Sequence, residues 1–204
     1  LPEELDDLCM NVLHAAAGKL VGNMAELAAR YIAVSRYGLR ETDLESIFTA
    51  SGTEWNSLDF ALFIHYMRGF FLQRKDGRWD FVHRCIRDGF RKHSSDEVQM
   101  HREILEHLKG LDQKDEVRMN EMVYHCYKAD EKKYFVKYIS KYNYVNEIIR
   151  PATETICEIS IQDNGEWLCD VIRNGKNYDA GHNFIAFLNF KINECFDMSQ
   201  KGSD

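Results

Sequence analysis

The chain has 204 residues, 45% of them hydrophobic, enough for a core in one large domain or two small ones. With 33 acidic and 26 basic residues its net charge is −7, which argues against a general binder of nucleic acid or anionic membrane. No apolar run approaches ~18 residues, so the pattern contains no membrane span.

The chain opens as LPEELDDLC, with no Met and no signal-peptide pattern, already inside an amphipathic helix. It therefore reads as a piece of a longer protein. Leu5, Leu8, Val12 and Leu13 form one helical stripe; Leu20, Met24, Leu27, Ala28 and Tyr31 form the next. Ser35-Arg-Tyr-Gly-Leu39 is a turn in which Gly38 is free to take positive φ. Thr42-Asp-Leu-Glu45 reads as a capping box that starts a short helix, and Ser51-Gly52 ends it. Trp55 to Met67 reads as a third helix, apolar nearly all round. Phe70 to Arg74 and Arg78 to Val82 flank an Asp76-Gly77 turn, a hairpin signal. The second strand leads straight into a helix over His83 to His93. Helix, short helix, helix, hairpin is the order of a winged helix-turn-helix.

Beyond that the pattern is helical throughout, with a further capping box at Ser94-Ser-Asp-Glu97. Stripes recur at Met119, Met122, Val123 and Cys126; at Phe135, Tyr138 and Ile139; at Val145, Ile148 and Ala152; at Leu168, Val171 and Ile172; and at Phe184, Leu188, Ile192 and Cys195. Breaks fall at Gly110-Leu-Asp, Asn164-Gly165 and Asn174-Gly175, and the tail from Ser199 is expected to fray. The fold expected is mostly α: a winged-helix domain with its leading helix over 1–93, then a helical-hairpin array over 94–204. Only Pro2 and Pro151 could break helices. The six cysteines lie far apart at apolar positions with no CxxC, and read as free thiols in a reducing, cytoplasmic compartment.

Chemistry is harder to find. Ala17-Gly18-Lys19-Leu20 lacks the hydroxyl and the upstream glycine of a P-loop, and no GxGxxG, GxSxG or HExxH occurs. The pairs His83/Cys85, His125/Cys126 and His101/His107 have no metal-ligand spacing, so neither a metal nor a catalytic residue is expected. The third helix carries Glu54 and Asp59 and no cation before Arg68, unlike a helix that reads DNA. Arg74, Lys75 and Arg78 on the wing are read as a solvated tip, so nucleic acid is not the expected partner. Trp55, Trp79 and Trp167 read as core anchors, the tyrosines of 134–144 as packing between helices, and Glu131-Lys-Lys133 as a solvated face.

Several segments taken together resemble the region just after the nucleotide-binding core of STAND NTPases of the NACHT type, the kind followed by tetratricopeptide or WD40 repeats. They are Leu1-Pro-Glu-Glu-Leu5, Tyr31-Ile-Ala-Val-Ser-Arg-Tyr-Gly-Leu39 with Glu41-Thr-Asp-Leu44, Trp55 and Phe81-Val-His83, and more weakly His101 to Leu105 and Asn120 to His125. The resemblance implies a winged helix that folds over the NTPase core, with the histidine of Phe81-Val82-His83 touching the phosphates of bound ADP. It implies a non-catalytic regulatory and scaffolding segment. Its partners would be its own NTPase core, downstream repeats and other proteins, and ADP or ATP would belong to the core. The segment after His83 reads Arg84-Cys-Ile-Arg-Asp88, where such proteins often carry Gln-Glu or Glu-Ala. Read from the residues alone, His83 is equally a histidine hydrogen-bonded locally at a strand–helix junction. Two other readings of the chain stand beside this one: a nucleic-acid-binding winged helix, and a free-standing helical adaptor.

Overall fold

The computed structural model describes residues 24–92, 96–141 and 149–201, together with 11, 15 and 18. The stripe Leu5, Leu8, Val12 and Leu13, the cap at Ser94, and Val145 and Ile148 lie outside the described residues. Among the described residues the fold is mostly α, with one small two-stranded antiparallel hairpin between the early helices. The chain divides into two compact units, Leu1–Gly110 and Leu111–Asp204.

The first unit is built around α1 (Met24–Val34). Ala25, Ala28, Ala29 and Ala33 are all buried, and their small side chains let neighbours approach on several sides. α2 (Glu41–Ala50) and α3 (Ser57–Tyr66) follow, then β1 (Phe71–Gln73), β2 (Trp79–Phe81), α4 (Arg84–Lys92) and α5 (Glu97–Gly110). α1 packs on α3, α4, α5 and β2, while α2 packs on α5. The first unit thus takes in a helix that the sequence reading put with the second.

Gly38 has φ +88°, and a Cβ there would lie 2.1 Å from the Trp79 carbonyl oxygen. Only glycine lets the turn come that close. It allows Leu39 and Trp79 to exchange backbone hydrogen bonds of 3.2 and 2.8 Å, a single bridge on the free side of β2. β2 then pairs with β1 in the register Phe71↔Phe81, Leu72↔Asp80, Gln73↔Trp79, closed by Gly77 at φ 83°.

Ring contacts run unbroken through this unit: Tyr31 to Phe48, Phe48 to Trp55, Trp55 to Phe60, Phe60 to Phe63, Phe63 to Phe71, Phe71 to Phe81, and Phe81 to Phe90. One chain of rings thereby joins α1, α2, α3, both strands and α4. Each such pair adds about 1 kcal/mol beyond the area it buries. Trp79 joins the same cluster through Phe60.

The second unit comprises α6 (Glu116–Lys128), α7 (Lys132–Ser140), α8 (Ile149–Gln162), α9 (Glu166–Arg173), a 3-10 turn (Gly175–Tyr178) and α10 (His182–Lys201). α8 is its centre, packing on α6, α9 and α10. Asp115 caps α6 by accepting from the backbone N–H groups of Val117 and Arg118. Trp167 sits edge-on to Tyr127 and Phe135 and donates its indole N–H to Asp130 at 2.8 Å. It is the anchor that its sequence position indicated. α10 extends through Lys201, so the helix includes the start of the tail expected to fray.

One expectation is overturned. Cys157 of α8 and Cys195 of α10 are joined in a disulfide, with Cα atoms 5.4 Å apart. Both lie on the faces where these helices meet, so two apolar stripe positions from distant segments become neighbours. Cys85, Cys126 and Cys169 are not disulfide-bonded.

Candidate functional site

His83 is separated from the end of β2 by Val82 alone and stands immediately before α4. Its carbonyl accepts from the N–H groups of Ile86 and Arg87 at 3.2 and 3.3 Å, so its backbone opens α4. Its imidazole is exposed and makes no hydrogen bond to any of the described residues. The ring therefore faces outward beside the first-turn N–H groups of α4, the end of a helix that favours an anion.

Beneath this junction lies a buried polar node. The Asp80 carboxylate accepts from Arg74 of the hairpin turn, at 2.9 Å to Nε and 2.5 Å to a terminal nitrogen, and from Arg87 of α4. Arg87 also donates to the carbonyls of Ser35 and Arg36 at 2.6 and 2.5 Å, which satisfies acceptors just past the C-terminal end of α1. One carboxylate and one guanidinium thus fix hairpin, α4 and α1, and so fix where His83 stands. Nothing periodic in the sequence marks Asp80; the one signal is an acidic residue between two aromatics in a three-residue strand.

A second node ties α2 to α5. Asp43 accepts from the Arg40 backbone and side chain, each at 2.9 Å, and shares a 2.9 Å hydrogen bond with His107 Nε2. Burial pushes the Asp43 carboxyl up, but the bonds from His107 and Arg40 outweigh it and hold the pKa at about 2. Asp43 is the residue that reaches back to the start of the helix. This corrects the box expected at Thr42 and Glu45: the cap is Arg40, and Thr42 lies within the first turn. Between α2 and α5 lies a groove of about 450 Å3, with Ile47 and Ala50 in its wall and Arg102, Glu106 and His107 along it. Its lining mixes both signs of charge and points to no one ligand.

The other exposed feature of this unit is α3. Asn56 caps it, accepting from Leu58 and Asp59 N–H. Phe60, Phe63 and Met67 are buried, but Leu58, Leu62 and Tyr66 are 68, 37 and 43% exposed. These three follow at i, i+4 and i+8 and form an apolar row facing solvent, with Ala61 and His65 exposed beside it. The sequence called for burial all round; the chain supplies it on one side only.

Among the described residues no group of three or more His, Cys, Asp or Glu is placed to hold a metal ion. No described helix is long and apolar enough to cross a membrane. Comparison with protein-family models, with curated proteins and with solved structures finds no match to this chain.

Proposed function

We propose that the chain is a non-catalytic regulatory and scaffolding segment of a cytoplasmic NACHT-type signalling NTPase, with a winged helix in its first unit and a helical array in its second. The winged-helix reading is supported by chain order: α1, the Leu39 bridge to β2, α2, α3, then the hairpin. The observation that carries the functional reading is the apolar row Leu58, Leu62 and Tyr66 on the outer face of α3. In a DNA reader that face would be basic and polar. Here it is suited to packing against protein. The partner is the nucleotide-binding core of the parent protein.

In this reading His83 donates from its ring to an ADP phosphate when the winged helix is closed over the core. The open, ATP-exchanged state lacks the contact, and that difference in ligand affinity drives the switch. ATP or ADP is held by the core, and the helical array contacts downstream repeats and other proteins. The test is ADP affinity of a protein containing the upstream core, with and without His83→Ala. The reading expects a loss of about tenfold, ~1.4 kcal/mol, with folding intact. Unchanged affinity would leave a free-standing helical adaptor as the better account.

A further inference from the structure

The second unit carries a charge row that its own fold does not use. Lys133, Lys137 and Lys141 follow at i, i+4 and i+8 on α7 and its C-cap, where Lys141 keeps helical angles of φ −72° and ψ −22°. All three are exposed, and among the described residues no carboxylate pairs with any of them. Lys132, one position round the helix, is by contrast held by Asp130 at 2.5 Å and Asp170 at 3.4 Å. The opposite face of α7 buries Phe135, Val136, Tyr138 and Ile139, so the row is locked outward.

This arrangement works against the helix. Like charges at i, i+4 repel, and Lys133 stands in the first turn, where the helix dipole disfavours a cation. Among the described residues nothing offsets either effect. The row spans about 12 Å, two turns of helix.

We propose that the lysine row of α7 is a docking face for an acidic helical segment of a partner protein, with carboxylates at the same i, i+4, i+8 spacing. The spacing is that of a helix laid alongside, and the charges are complementary. Residues 111–204 hold more acidic than basic residues. An extended polyanion, whether nucleic acid or an anionic lipid surface, meets repulsion outside the row, whereas a short acidic helix touches the row alone. Exposed ion pairs are individually weak, so the row sets orientation and encounter rate more than affinity. The proposal names the partner chemistry for the protein-contact role of the helical array and rests on that reading. The ADP measurement concerns His83 alone, so the two ideas fail separately.

The test is an NMR titration of the isotope-labelled chain with two alanine-based helical peptides of identical composition. One carries glutamates at i, i+4 and i+8; the other spreads them round the helix. The row peptide should shift α7 amides and bind about threefold more tightly or better, and about a tenfold rise in salt should abolish the shifts. The triple variant Lys133→Gln, Lys137→Gln, Lys141→Gln, with its remaining spectrum unchanged, should lose them too. Equal response to both peptides, no response, or tighter binding to a DNA duplex or phosphatidylserine vesicles would overturn the proposal.

Discussion

In the first unit, buried carboxylates pin one element to another: Asp80 joins the hairpin to α4, and Asp43 joins α2 to α5. In the second, the helices meet through apolar faces around α8 and Trp167, with a covalent tie from Cys157 to Cys195. The difference follows from the elements. Helices satisfy their own backbone groups and need only an apolar stripe to associate. A hairpin of three-residue strands buries too little to hold itself in place, so its position depends on specific polar bonds. The unit with the hairpin is also the unit with the outward histidine.

The largest expected effect breaks the first kind of joint. Asp80→Ala leaves the Arg87 side chain, 14% exposed, without its carboxylate, at a cost of about 4 kcal/mol. Hydrogen exchange should speed up through α1, the hairpin and α4 and stay as it was in α8 and α10. Reducing the disulfide breaks the second kind. Cys157 and Cys195 lie 38 residues apart, and opening a loop of that size costs about 4 kcal/mol. Here the loss of protection should fall on α10, with α1 and α4 unmoved. If either perturbation loosened both units equally, the contrast between them would not stand.

How much of this was legible beforehand depends on the kind of signal. Asp76-Gly77 marks the hairpin because few dipeptides make that turn, and Gly38 marks a close approach because only glycine tolerates it. Helical stripes give the other elements. The polar nodes leave no such trace: Asp43 lies inside Thr42-Asp-Leu-Glu45, where Thr42 and Glu45 look the better capping pair. The disulfide joins residues on two stripes whose contact exists only after α8 and α10 pack. α3 is apolar on every side, so its pattern cannot say which side faces inward. His83 is conspicuous as a histidine at a change of period, but its exposure depends on how β2 enters α4.

Acid separates the nodes from the apolar joints. The Asp43 carboxyl is lowered from 3.8 to about 2 in the folded chain, so its contribution, roughly 2 kcal/mol, is in place above pH 4. That contribution is lost as pH falls through about 2. Glu97 behaves alike: hydrogen bonds from His101 and Arg91 outweigh its burial and hold it at about 2. Protection of α2 and α5 should therefore fall between pH 4 and 2, and His107→Ala should remove part of that dependence. A pH profile in the variant identical to the parent's would detach Asp43 from the joint.

The smallest effect on folding is the most informative about function. Leu62 and Phe63 are adjacent on α3, yet one is 37% exposed and the other fully buried. Phe63→Ala removes a ring from the aromatic chain and should cost about 4 kcal/mol. Leu58→Asp in the same row should change the unfolding free energy by no more than about 0.5 kcal/mol, since that side chain is 68% exposed and meets mostly water. If the outer row packs on a nucleotide-binding core, the same Leu58→Asp places a charge in that interface and should weaken ADP retention in the longer protein. A substitution silent in this chain and damaging there separates an interface from a core. Were Leu58→Asp to unfold this chain, the row would belong to its own packing, and the docking role of α3 would be lost with it.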